Sequence, residues 1–337
     1  MTFLKRPLLF SISLLLALAL PLAGCDSTGP NGPSADPSDP VPPSEGEDGV
    51  WTLVRTSTQN TIHDVALTSE GAYAVAEGGL LLKREADTWT PVVNDGPSSN
   101  GRDLNGLAVT ADSTHLWLVG ASGAIGEYDV TTGTLTDRSA PMDVTNNFQD
   151  VAVTGTADSA NVYITGGSGQ VYYSFEGGAS GTWNASTPGN GSALRALDFY
   201  AARSGDLVDA NQTVFGTEDG GTWTANGISN ADVSIYGVDS DGADDVWTAA
   251  GSGTIFHWDG TEWTSTSIGE ASLRDIEVTD GDQDGYAVGG GGSVFAYDGA
   301  SWATEETPTT ENLQAITFGT DATPAIAVGA GGTILEK

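Results

Sequence analysis

Cysteine is nearly absent from this chain: Cys25 is the only one in 337 residues. A disulfide within the monomer is therefore impossible, and a thiolate metal site lacks a second sulfur. Histidine is scarce too, limited to His63, His115 and His257. No Gly-x-Ser-x-Gly elbow accompanies them, which disfavours a nucleophilic triad, and their spacing supports no histidine zinc site. Bases are the third deficit, with 11 Lys+Arg against 45 Asp+Glu and a net charge of −34. That balance argues against nucleic acid and anionic membrane surfaces as partners. Helix-period patterning is missing between Trp51 and Lys337, so the globular part is expected to be all-β.

The long apolar run Leu8–Leu20 is short for a bilayer span and follows the basic pair Lys5-Arg6. It leads into Leu22-Ala23-Gly24-Cys25, the pattern of a bacterial-type lipobox. Residues 1–24 are accordingly read as a lipoprotein signal peptide and Cys25 as the lipidated N-terminus. No twin arginine precedes the run, which favours Sec over Tat export. Residues 25–50 are rich in Pro, Ser, Gly, Asp and Glu without apolar periodicity, the composition of a disordered tether. The expected location is outside the cytoplasm, lipid-anchored, facing the periplasm or cell exterior. The acidic excess resembles that of exported halophile proteins, whose hydrated carboxylates preserve solubility in molar salt.

What the chain has in quantity is repetition. Ser272–Thr310 holds four short strand candidates, Leu273–Val278, Tyr286–Val288, Val294–Tyr297 and Trp302–Glu305, separated by Gly- and Asp-rich turns. Its marker is an apolar pair bracketing a Gly-rich turn, Val288-Gly-Gly-Gly-Gly-Ser-Val294, repeated as Val328-Gly-Ala-Gly-Gly-Thr-Ile334. Equivalent turns begin at Val75, Val119, Thr165, Val208 and Ala249, giving seven copies 39 to 46 residues apart. Four strands per 40-odd residues is the signature of a propeller blade. The copy at Val208 is degenerate, reading Asp-Ala-Asn-Gln-Thr in place of glycines.

Residues 51–337 are therefore expected to form a seven-bladed β-propeller. Six units are whole: Thr61–Arg102, Asp103–Thr145, Asn146–Gly191, Ser192–Asp232, Val233–Ala271 and Ser272–Thr310. The seventh, Glu311–Lys337, offers only three strands, and Trp51–Thr58 resembles the missing fourth. The spacing thus predicts ring closure by terminal strand exchange, which removes open sheet edges. Trp89, Trp183, Trp223, Trp263 and Trp302 recur before or at the fourth strand. One fixed repeat position points to packing between blades rather than carbohydrate stacking.

Thr217-Glu-Asp-Gly-Gly-Thr-Trp223 resembles the Asp-box of sialidase-like (BNR) propellers, one residue short of the usual spacing. Tyr297-Asp-Gly-Ala-Ser-Trp302 and Trp258-Asp-Gly-Thr-Glu-Trp263 look like relaxed versions. Across residues 51–337 the chain is similar to the broad WD40/YVTN/BNR-like superfamily, including the photosystem II assembly-factor type. The resemblance implies the fold; Asp-boxes are structural turns and imply no catalysis.

A sialidase-type site would need an arginine triad, a Tyr–Glu nucleophile pair and an acid Asp. Of the arginines after the leader only Arg195 and Arg274 share a repeat position, and no catalytic residue is assigned. Asp280-Gly-Asp282-Gln-Asp284-Gly285 matches the start of a calcium loop, without a carboxylate at the twelfth position, Gly291. Calcium on Asp280, Asp282 and Asp284 is the one cofactor considered; the alternative is a solvated acidic loop.

Aligning the first strands brings His63, Asn105, Gln149, Arg195, Tyr236, Arg274 and Gln314 to one ring position. All are polar, whereas two residues on Val65, Leu107, Val151, Leu197, Val238, Ile276 and Ile316 are all apolar. The start of the innermost strand lies where a propeller channel opens, so these seven are candidate ligand-binding residues. The expected function is a non-enzymatic binding or scaffold module, a monomer holding a protein or carboxylated ligand at one face. A glycan-directed hydrolase or lyase and an assembly factor for a membrane complex are the alternatives.

Overall fold

The computed structural model describes residues 49–228, 232–279, 281–320 and 323–337. The lipobox with Cys25, most of the tether, and Asp280 lie outside these residues. The described chain forms seven antiparallel sheets arranged as a seven-bladed β-propeller. Its regular elements are strands and one-turn 3-10 segments. The innermost strands of blades 1 to 7 are Ile62–Thr68, Leu104–Val109, Phe148–Thr154, Leu194–Ala201, Ile235–Gly242, Leu273–Val278 and Leu313–Thr317. The strands that follow run outward as antiparallel neighbours joined by turns and short loops, in chain order except that the outermost strands of blades 1 and 7 come from the N-terminal stretch.

There is no single central core. Buried side chains form seven separate clusters, one for each blade interface. Each second strand is buried along nearly its whole length, as in Leu116–Gly120 and Val162–Gly166, because both of its faces meet a neighbouring blade. The recurring tryptophans behave as expected. Trp183, Trp223, Trp263 and Trp302 each pack against the blade before their own, and Trp89 packs against blade 7.

The terminal stretch splits its task. Thr52–Leu53 pairs antiparallel with Leu335–Glu336 and completes blade 7, as its sequence predicts. Arg55–Thr56 instead pairs in parallel with Thr88–Trp89, giving blade 1 a fifth, outermost strand. Trp51 is buried against blade 6, edge-on to Tyr286 at 5.7 Å, and donates its indole N–H to Glu305 Oε2 at 2.5 Å. It thus occupies the interblade place that Trp302 takes one blade earlier.

The Gly-rich turns explain why the repeat marker is glycine. In blade 6 a Cβ on Gly292 (φ +75°) would lie 2.3 Å from the carbonyl oxygen of Thr309, where the chain leaves the fourth strand. In blade 7 the equivalent Gly332 (φ +72°) meets Thr58, with 2.1 Å between the added carbon and its carbonyl oxygen. The degenerate blade 4 keeps the turn with Gln212 at φ +67°, a left-handed conformation costly for a side-chain-bearing residue. Asp209 holds it closed by accepting the Thr213 N–H at 2.9 Å.

Candidate functional site

Each of the seven ring residues sits at a β-bulge. The ladder between first and second strand skips from Ile62 to Asp64, Leu104 to Gly106, Phe148 to Asp150, Leu194 to Ala196, Ile235 to Gly237, Leu273 to Asp275 and Leu313 to Ala315. The skipped residues are His63, Asn105, Gln149, Arg195, Tyr236, Arg274 and Gln314. A bulge leaves its extra residue outside the ladder and re-aims the side chains beside it. Strict alternation therefore fails at this point in every blade, and in blades 1, 3 and 6 the residue following the bulge, Asp64, Asp150 or Asp275, lines the channel.

Around the mouth, the basic residues gather on one side. Arg195 of blade 4 lies over the ring of Tyr236 of blade 5, 4.4 Å from its centroid, and Arg274 of blade 6 lies 5.6 Å from the same ring. One Arg195 Nη1 donates to the Ile235 carbonyl at 3.0 Å, whereas Nε of Arg274 is buried without a hydrogen-bond partner. Among the described residues the ion pairs are Arg84–Glu336, Arg138–Glu127, His257–Asp245 and Lys337–Glu305. Neither mouth arginine is in them, so no carboxylate, Asp198 and Asp275 included, takes up the guanidinium groups.

The other ring members contribute less. Asn105 donates to the Phe148 carbonyl at 2.7 Å, tying blade 2 to blade 3, and Gln149 is exposed. Burial holds His63 below its ordinary pKa, against the pull of Glu77 and Asp103. Positive charge at the mouth thus comes from Arg195 and Arg274. Of the proposed calcium loop, Asp282 is half-buried and accepts a hydrogen bond from Trp247 of blade 5, while Asp284 is exposed.

Beneath the mouth lies what sequence reasoning missed. Asp64, Asp150, Asp198, Asp239, Asp275 and Glu277 line one channel of about 400 Å³. Each accepts a backbone N–H from the following blade. Asp64 takes Leu107 N at 2.7 Å, Asp150 takes Leu197 N at 3.0 Å and Asp275 takes Ile316 N at 2.8 Å. One tier further along, Asp198 takes Ser240 N at 2.9 Å, Asp239 takes Val278 N at 2.8 Å and Glu277 takes Phe318 N at 3.1 Å. Together with Asn105, these side chains clasp every blade interface except that between blades 7 and 1, where the strand exchange operates.

Crowding six acids into a narrow channel has an electrostatic consequence. Desolvation, aided by the neighbouring carboxylates, raises Asp275 to about 6, Asp150 to about 7 and Glu277 to about 8. Burial also raises Asp198, and it drives Asp64 and Asp239 well above the carboxylate range. The backbone donors oppose these shifts without overcoming them. A protonated fraction therefore persists near neutrality, which lets the acids approach one another.

No protein-family model and no curated protein matches the chain. Solved structures do match its fold. YCF48 from Cyanidioschyzon merolae aligns with a TM-score of 0.68 at 15% identity, over 85% of this chain and 98% of that one. A structure of YCF48 bound to D1 peptide gives the same TM-score and identity, over 86% and 95%. A catalytically inactive virginiamycin B lyase from Staphylococcus aureus with quinupristin aligns with a TM-score of 0.71 at 13% identity, over 85% and 99%. These likenesses, all at 15% identity or below, show the β-propeller fold.

Proposed function

We propose that this chain is an exported, lipid-anchored propeller that captures a protein partner at its channel mouth and carries no catalysis of its own. The observation behind this reading is the pair Arg195 and Arg274 bracketing Tyr236, free of carboxylate partners in a chain of net charge −34. Guanidinium groups offer paired donors to a carboxylate, and the aromatic ring between them adds cation–π support. The target is therefore an acidic segment or C-terminal carboxylate of a peptide. Asn105, Gln149, Gln314 and His63 border the same opening. The acids deeper in the channel are engaged in clasping blades, which argues against a hydrolase or lyase built from them. The fold's use in a peptide complex of YCF48 supports peptide capture, and a role in assembling a membrane complex is the version of this reading that the lipid anchor favours.

Calorimetric titration with an acidic peptide bearing a free C-terminal carboxylate, beside its amidated form, tests the site. Arg195→Ala with Arg274→Ala should abolish binding while leaving the thermal melt nearly unchanged. Unaltered binding by the double variant would place capture elsewhere. For anchoring, mass spectrometry of membrane-extracted protein should find diacylglyceryl on Cys25, and Cys25→Ser should release the chain from membranes.

A further inference from the structure

A second cluster lies away from the mouth, where blades 5 and 6 meet. Asp245 and Trp247 project from the second strand of blade 5, and His257, paired across the ladder with Trp247, from its third. Asp282 reaches over from the first loop of blade 6. His257 Nε2 lies 3.0 Å from Asp245 Oδ1. The Trp247 indole N–H is shared between Asp245 Oδ1 at 3.1 Å and Asp282 Oδ1 at 3.0 Å. One ligand-capable atom from each of the three titratable residues falls within 4.8 Å of the others, and all three residues are half-buried.

The geometry points to a site for a divalent first-row transition ion, held by Asp245, His257 and Asp282 across the blade 5–6 interface. The donor set decides the class of ion. One imidazole with two carboxylates suits zinc and its neighbours, whereas calcium and magnesium take oxygen alone. Tetrahedral zinc, with bonds of about 2.0–2.2 Å, sets ligand atoms roughly 3.2–3.6 Å apart. The Asp245–His257 pair, at 3.0 Å, is already near that spacing, and the Asp282 carboxylate lies within 4.8 Å of both. The remaining coordination position would be taken by water.

The surroundings resemble those of a metal centre more than those of a plain ion pair. The His257 ring stacks on Trp247, centroids 3.7 Å apart and 9° from parallel, which fixes the direction of Nε2. The shared indole N–H orients both carboxylates, as second-sphere donors do around bound metals. Asp282 is held at φ +56° in a turn closed by its own N–H to the Thr279 carbonyl at 2.9 Å. The bland alternative is a hydrogen-bonded clasp between the blades that needs no ion.

Equilibrium dialysis of the full chain against Zn²⁺, in 1 M NaCl with excess Mg²⁺ to occupy diffuse surface acids, separates the two. The expectation is one zinc per chain, with affinity falling at least tenfold in His257→Gln and in Asp282→Asn. Because the ion would link two blades, saturating zinc should raise the melting temperature of the parent by a few degrees and leave both variants unmoved. Co²⁺ should give visible d–d absorption in the parent that His257→Gln lacks. Zinc displaced by Mg²⁺, or bound equally by parent and both variants, would overturn the assignment; unfolding of one variant leaves the other to decide.

Discussion

The indole N–H of Trp89 donates to Oε1 of Glu336 at 3.0 Å, joining the first blade to the penultimate residue of the chain. The same carboxylate receives Arg84 through Nε at 2.8 Å and Nη2 at 2.7 Å. Glu336 is only 8% exposed, so three donors converge on one nearly dry acid at the ring's seam. Glu336→Ala would strand the Arg84 charge and the Trp89 donor together. We expect a loss of about 2–4 kcal/mol in urea unfolding, the low end reflecting the partial exposure of Arg84. Glu336→Gln should lie between the two.

Removal of Trp51–Thr58 should be far more damaging than removal of residues 26–48. The first deletion exposes the outer edge of blade 7, strips the fifth strand from blade 1 and uncovers the pocket of Trp51. Trp51→Ala alone should cost about 3–5 kcal/mol. Equal melting temperatures for the two truncations would contradict the closure.

Mild acid should stabilise this protein. A carboxyl whose pKa is raised on folding binds its proton more tightly in the native state. Its contribution is whole below the unfolded value, near 4, and fades as pH climbs through the folded values of about 6 for Asp275, 7 for Asp150 and 8 for Glu277. Asp219, held down at about 2 by the Thr222 and Gly221 amides, acts oppositely and only below pH 4. The melting temperature should therefore rise from pH 8.5 to pH 5, and Glu277→Gln should flatten the upper part of that curve. A profile rising with pH over this range would refute the channel electrostatics.

Salt should stabilise it as well. At a net charge of −34 self-repulsion opposes compaction, and the Debye length shrinks to about 3 Å at 1 M. Melts in rising KCl should climb steeply; an unchanged midpoint between 0.1 and 2 M would count against it.

Blade number, closure and the interblade tryptophans were legible because each is a repeated pattern under one physical constraint. Gly292 and Gly332 are glycines since the same backbone crossing recurs, and the near-continuous apolar second strands follow from burial on two faces. The channel acids escaped for the opposite reason. Asp64, Asp150 and Asp275 share one repeat position while Asp198, Asp239 and Glu277 share the next channel-facing one, so no position is acidic throughout. The bulge at His63 and its six counterparts also shifts the alternation, concealing that Asp64 faces inward. Three aspartates at one position across distant repeats were the available signal. The Asp245–His257–Asp282 cluster joins residues of two blades with no common spacing, and only the fold brings them together.

The clasps have a direction. Asp64, Asp150, Asp198, Asp239 and Asp275 each wait for an amide that is synthesised about 40 residues later. A chain emerging from a ribosome or an export pore can dock each new blade onto the one before. Trp51 and Thr52 have no such early partner: the strand they complete is Ile334–Glu336, and 284 residues separate Thr52 from Glu336. The segment made first among the blades is thus the final piece to lock. A chain lacking Ile334–Glu336 would stay an open crescent, in which correct local folding everywhere still leaves both ends unsealed.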